Sequence, residues 1–200
     1  MYLSRVYVQW PKSKSAYTLH QSLWRLFPNR PDGMRDFLFR VEQEKRGVGA
    51  SILMQSQMEP ATNVDFVELK AKRDYALNLV EGQRLRFLLK ANPVKTIKDE
   101  KGRKDAKGEI KKCRVPLIKE EEQLQWLARR FDGIAKLCEV QVAPCLPIYF
   151  HKQGQAGKVV PVKFEGIMMI SNPATFKAML DKGIGPAKAF GCGMLSLAPG

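Results

Sequence analysis

Apolar positions along this chain fall into short alternating runs, broken by a few stripes at helical spacing. Tyr2–Trp10 alternates and is rich in Val and Tyr, which predicts a strand starting almost at the N-terminus. Pro11 ends it, and Lys12–Ser15 reads as a loop. From Ala16 to Phe27, Leu19, Leu23, Leu26 and Phe27 recur at the period of a helix, with Ser15 placed to cap it and Pro28-Asn29-Arg30-Pro31 to stop it. Phe37–Val41 and Ser51–Met54 are β-like, and the polar stretch Glu42–Gly49 between them has the look of a hairpin connection. Strand, helix, strand, strand is the first part of a ferredoxin-like βαββαβ unit.

The order partly recurs. Arg84–Lys90 alternates through Leu85, Phe87 and Leu89 and predicts a strand. Lys119–Phe131 predicts a helix with one apolar face, Leu124, Leu127, Ala128 and Phe131. Glu120, Glu121 and Glu122 in its first turns and Arg129 and Arg130 near its end suit the helix dipole. Val159–Ile170 reads as a long strand interrupted at Gly166. Pro173–Lys182 reads as a helix capped by Asn172, with Pro173 in its first turn, and Met194–Leu197 as a last strand. The expectation is an α+β chain of two units, split near Tyr75–Gly82. No sequence repeat links the two.

Composition narrows the partners. The chain has 200 residues, 44% of them hydrophobic, so a packed core is affordable. The net charge is +14, an imbalance that favours polyanionic partners, nucleic acid above all. Nine Lys or Arg and four Asp or Glu crowd into Lys95–Arg114, with Gly102 and Gly108 as punctuation. That stretch predicts a protruding basic loop or ribbon suited to following a phosphate backbone. Its cations are Lys95, Lys98, Lys101, Arg103, Lys104, Lys107, Lys111, Lys112 and Arg114. Cys113, Cys138, Cys145 and Cys192 form no C-x-x-C pair, and the chain holds two histidines, so no zinc site is expected. No signal peptide or spanning apolar run is visible, which makes the cytosol with reduced thiols the expected location.

Candidate chemistry is sparse. His20 lies on the first helix, with Tyr17 three residues before and Trp24 four after, so Tyr17 and His20 share a face. A histidine titrates near neutrality and can move a proton in metal-free RNA cleavage, with a tyrosine to orient the nucleophile and a lysine to stabilise phosphate charge. A plain half-buried helix histidine fits the same pattern. His151, between Phe150 and Lys152, is an equally eligible position at a strand end. Asp32, Asp36 and Glu42 are scattered and Glu120–Glu122 are consecutive, which makes a poor cage for catalytic metals. No Walker A loop and no G-x-S-x-G are present. Near the C-terminus, Gly183-Ile184-Gly185-Pro186-Ala187-Lys188-Ala189-Phe190-Gly191-Cys192-Gly193 surrounds one lysine with glycines, a composition that lets backbone approach a phosphate.

That loop, Gly-x-Gly-x-x-Lys-x-x-Gly-x-Gly followed by Leu-Ser, resembles the signature of the CRISPR-linked repeat-associated RNA-processing superfamily. Met1–Val6, Leu19–Pro31, Arg35–Val41, Arg84–Lys95, Lys112–Glu122, Phe164–Gly166 and Gly183–Pro199 together resemble the CasE family, the type I-E Cascade endoribonucleases, across essentially the whole chain. The resemblance implies two tandem ferredoxin-like (RRM-like) domains facing a shared cleft, residues 1–78 carrying the catalytic helix and residues 79–200 the basic hairpin and the Gly-rich loop. It implies cleavage of CRISPR precursor RNA at the base of the repeat stem-loop, without metal or other cofactor. The products carry a 5′-hydroxyl and a 2′,3′-cyclic or 3′-phosphate, and the enzyme retains the guide RNA within the Cascade complex. Outside that complex the implied state is a monomer, with no membrane partner. By the same resemblance the catalytic histidine falls on His20, its tyrosine on Tyr17, and a catalytic lysine near Lys152, with Lys158 as rival. Gly185, Lys188 and Gly191 would shape the RNA cleft. A non-catalytic RNA-binding subunit and a general nucleic-acid-binding protein remain the alternatives.

Overall fold

The computed structural model describes residues 1–28, 36–99, 102–104, 108–110, 112–152 and 155–200. Residues 29–35, which include Asn29, Arg30 and Pro31 of the expected helix stop, lie outside the described residues.

The N-terminal half runs β1 (Tyr2–Gln9), α1 (Trp10–Ser13), α2 (Ala16–Trp24), β2 (Phe37–Lys45), β3 (Gly49–Ser56), β4 (Asn63–Val64) and β5 (Val67–Asp74). Its sheet has the order β2-β3-β1-β5-β4, antiparallel at each pairing. Alternation places Val6 and Val8 of β1, Phe37 and Phe39 of β2, and Ile52 and Met54 of β3 in one core with Leu19 and Leu23 of α2. Without β4, the order β2-β3-β1-β5 is that of a ferredoxin-like unit, but residues 57–66 cross over without a second helix.

The second half is a complete unit: β6 (Arg84–Ala91), β7 (Val94–Lys98), β8 (Lys112–Pro116), α3 (Glu120–Phe131), β9 (Ala135–Pro144), β10 (Ile148–Lys152), β11 (Gln155–Val159), β12 (Val162–Ile170), α4 (Pro173–Lys182), a one-turn 3₁₀ helix η1 (Lys188–Phe190) and β13 (Leu195–Pro199). Its antiparallel sheet has the order β13-β6-β12-β9. Two hairpins leave the unit: β7–β8, which carries the basic stretch, and β10–β11. The core gathers Leu85, Phe87 and Leu89 of β6, Trp126, Leu127 and Phe131 of α3, Phe164 and Met168 of β12, and Phe176 and Leu180 of α4. Each such side chain contributes about 1.5–3 kcal/mol by leaving water.

Several expectations change. Trp10–Ser13 is a helical turn rather than strand end and loop, because Pro11 is tolerated in a first turn. The first helix ends at Trp24, and Leu26 and Phe27 follow in a tightened turn whose N–H groups donate to Leu23 O and Trp24 O. The polar stretch Glu42–Lys45 is strand rather than connection, since an edge strand leaves its outer residues wet. The expected strand over Val159–Ile170 breaks at residues 160–161, not at Gly166. Gly166 sits inside β12, where an added Cβ would collide with Glu139 O of β9. The strand β9 escaped prediction because its residues are mostly half exposed and mixed in character.

Polar contacts, one of them fully buried, join the two halves. The Arg40 guanidinium donates from Nε to Glu42 Oε1 at 2.6 Å and from Nη1 to Ser196 Oγ at 2.8 Å, which joins β2 to β13. Gln55 Nε2 of β3 donates to Leu180 O of α4 at 3.1 Å. Among the described residues no helix is long and apolar enough to cross a membrane.

Candidate active site

Helix α2 starts where Ser15 takes an extended conformation and its Oγ accepts from Thr18 N at 3.2 Å. Leu19, Ser22 and Leu23 face the core. His20 stands beside that stripe and is half-buried, while Tyr17, one turn earlier, is 48% exposed. The imidazole lies among three aromatic rings. Its centroid is 6.2 Å from Trp24, edge-on, 5.8 Å from Phe37, and 6.2 Å from Phe39 at an interplanar angle of 25°. One ring comes from the helix and two from alternate positions of β2, which strand periodicity puts on one face.

The Gly-rich loop arrives from the second half. It is tied down by Ile184 N donating to Gly193 O at 2.9 Å and Gly193 N donating to Lys90 O at 2.7 Å. The glycines have a packing reason absent from the sequence reading. A Cβ on Gly183 would stand 2.7 Å from Leu38 Cδ2, and one on Gly185 2.8 Å from Trp126 Cζ2. Gly191 has φ +77°, and its Cβ would stand 3.3 Å from Phe39 Cε2. The loop thus wedges between β2 and α3 and reaches the ring that stacks on His20. The β10–β11 hairpin joins it from the other side, with Phe150 and Phe190 centroids 4.6 Å apart.

The other end of the loop lines a groove of about 730 Å³ together with β7, β8, α3 and α4. Arg114, Arg130, Lys182 and Lys188 line it, and among the described residues no acidic one does. Arg130, whose guanidinium stacks 5.1 Å from the Trp126 ring, and Lys182 were not singled out from the sequence. The spacing of Arg130 four residues after Trp126 was the available signal. Lys188 Nζ donates to Lys182 O at 2.6 Å, at the C-terminal end of α4.

The remaining expected residues scatter. Lys95 pairs with Glu122 at 3.0 Å, and Arg103 grips Asp99 with Nε and Nη2 at 2.8 and 2.9 Å, a hydrogen-bonded pair that raises the arginine's already high pKa. Lys98 and Lys112 face each other across β7–β8, Arg114 stands opposite Thr96, and Lys104 bridges to Ile110. Lys101, Lys107 and Lys111 lie outside the described residues. Lys152 ends β10 opposite Gln155, while its side chain and that of His151 lie outside the described residues. Lys158 stands opposite Tyr149 with its ammonium 5.5 Å from that ring. Among the described residues no three His, Cys, Asp or Glu side chains converge to hold a metal ion.

The family described as "CRISPR associated protein" matches residues 1–199. The chain belongs to that family. Within it, the chain is 46% identical over 199 residues to the CRISPR system Cascade subunit CasE of Escherichia coli K12, covering 100% of both. It is 31% identical over 200 residues to the CRISPR-associated endoribonuclease Cse3 of Thermus thermophilus, covering 92% of this chain and 90% of that one. Among solved structures, the CRISPR-associated protein Cas6e of E. coli K-12 superposes with a TM-score of 0.87 at 43% identity, covering 100% of both chains. T. thermophilus Cse3 bound to an RNA representing a pre-cleavage complex superposes with a TM-score of 0.75 at 28% identity, covering 99% of each. The two-sheet α+β architecture is therefore shared with solved members of the family.

Proposed function

We propose that this chain is the endoribonuclease of a Cascade complex, cutting CRISPR precursor RNA at the base of the repeat stem-loop and retaining the guide. The observation that carries the reading is the Gly-rich loop. One end lines a basic groove and the other packs on the ring that borders His20. A duplex in that groove puts its base beside α2. The family relationship to an endoribonuclease and to a Cascade subunit supports the same assignment. The RNA contacts fall to the groove cations, to the ribbon cations named above, and to the loop at Gly185, Lys188 and Gly191. The chain divides into residues 1–78 and 79–200, a boundary supported by the connection between Asp74 and Arg84. The site of action is the cytoplasm, in keeping with four free cysteines.

The chemistry is an internal transfer. The ribose 2′-oxygen attacks the adjacent phosphorus, the P–O5′ bond breaks, and a 2′,3′-cyclic phosphate and a 5′-hydroxyl result. One proton leaves the 2′-oxygen and one arrives at the 5′-oxygen. His20 performs one of these transfers, since imidazole exchanges protons near neutrality. Tyr17, exposed one turn away, hydrogen-bonds the reacting ribose or phosphate. Lys152 supplies charge to the phosphorane. Lys158, whose ammonium lies 5.5 Å from the Tyr149 ring, is the rival for this role.

The test is single-turnover cleavage of repeat hairpins by wild type and His20→Ala, with product ends mapped, with and without EDTA. The expected result is full repeat binding with cleavage lost in the variant, and no effect of EDTA. Cleavage surviving in His20→Ala overturns the assignment, and strong inhibition by EDTA overturns the metal-free step. Equal affinity for an unrelated hairpin would make the chain a general RNA binder, because phosphate contacts carry no sequence information.

A further inference from the structure

Phe39 sits where two parts of the site meet. Its ring centroid lies 6.2 Å from that of the His20 imidazole at 25°, and a Cβ on Gly191 would stand 3.3 Å from its Cε2. The ring is 1% exposed, so the protein interior holds it. Gly191 follows η1 directly, and η1 begins at Lys188, which lines the basic groove. A single turn of chain, Lys188 to Gly191, therefore links a groove cation to the contact that seats Phe39. A close-packed ring has few alternative positions, and a shift imposed at one edge passes to whatever stacks on its face.

We propose that Phe39 is a positioning residue for cleavage: the Gly-rich loop, seated by RNA at its groove end, presses Gly191 on Phe39, and Phe39 sets the plane of the His20 imidazole. The inference rests on His20 being the proton-transfer residue. It gives the glycine at 191 a role in catalysis distinct from close approach to phosphate. A side chain there meets the ring at 3.3 Å and sits in left-handed backbone, so Gly191→Ala displaces Phe39, the loop, or both. Leucine at position 39 keeps an apolar filling but removes the flat face on which the imidazole stacks. Proton transfer is sensitive to such angles, and a displacement of about 1 Å can lower a rate about 100-fold.

The experiment compares Phe39→Leu and Gly191→Ala with wild type by three measurements. They are single-turnover cleavage of the repeat hairpin, affinity for the same hairpin with a 2′-deoxyribose at the cut, and the His20 ring proton resonance by NMR. The chain has two histidines, so His151→Gln assigns the signal. The expected result is cleavage slower by about 10- to 100-fold and a displaced His20 resonance in both variants, with affinity unchanged in Phe39→Leu. Wild-type cleavage in Phe39→Leu overturns the inference. So does a loss of binding in Phe39→Leu equal to its loss of cleavage, or a His20 resonance that moves in neither variant. Cleavage surviving in His20→Ala overturns the underlying functional reading instead, so the two failures are distinguishable.

Discussion

Replacing Arg114 and Arg130 together by alanine tests whether the groove holds the RNA backbone. Four cations line it, and the stacking of Arg130 on Trp126 leaves the edge of its guanidinium for phosphate. Each phosphate neutralised on a duplex contributes about 0.9 to the slope of log affinity against log salt. Four contacts thus predict about −3.6 from the groove, a weakening of about 150-fold between about 50 and 200 mM salt. The double variant retains two, for which the slope is about −1.8 and the weakening about 12-fold over the same range. Cations of the ribbon add equally to both proteins, so the difference of about 1.8 is the diagnostic quantity. Fluorescence anisotropy with a labelled repeat hairpin, made uncleavable by a 2′-deoxyribose, measures it at several salt concentrations. A double variant whose slope equals that of wild type refutes the reasoning, whatever happens to its affinity at any single salt concentration.

Two further predictions concern the scaffold. Gly166→Ala forces a Cβ onto Glu139 O in the middle of the second sheet, where backbone rather than a flexible side chain must yield. We expect destabilisation of about 3 kcal/mol, and a melting temperature lower by about 6–12 °C; an unchanged melting curve contradicts the packing. Burial pushes the Cys192 thiol up to about 12, against the weaker opposing effect of Lys90. Because the folded value lies above the unfolded one, this group's effect on stability is constant below about pH 9 and becomes unfavourable as the unfolded chain ionises first. Stability should therefore fall by about 1.4 kcal/mol per pH unit from this group above about pH 9, and Cys192→Ala should flatten that limb in denaturant melts. An equal slope in both proteins refutes it.

Local pattern was enough to place the elements whose burial alternates cleanly. The Val6 and Val8 alternation, the Leu19–Leu23 stripe and the Leu85–Phe87–Leu89 run each became the strand or helix that their period implied. Asn172 and Ser15 cap as their side chains predict, accepting from Thr175 N and Thr18 N. The edge strand β9 was illegible because Leu137, Val140 and Val142 are only partly buried against the core and a register shift interrupts their alternation. Gly166 read as a break because glycine usually marks one, whereas its reason is the backbone of β9 across the ladder, a neighbour distant in sequence.

The sequence by itself favoured a polyanionic partner, through a surplus of 14 positive charges, and narrowed the candidates for proton transfer to two histidines, one of which shares a helix face with a tyrosine. It also determined, through a chain-length resemblance, which chemistry to expect. Only the tertiary structure decided why the loop must be glycine: Leu38, Trp126 and Phe39 occupy the space where side chains would be. It alone brought Arg130 and Lys182 beside Arg114 and Lys188, and Phe39 between the loop and His20. The physical reason is separation along the chain. Charge, period and caps are written in residues a few positions apart, whereas a groove and a stacked ring depend on which distant strands and helices the burial of two cores forces together.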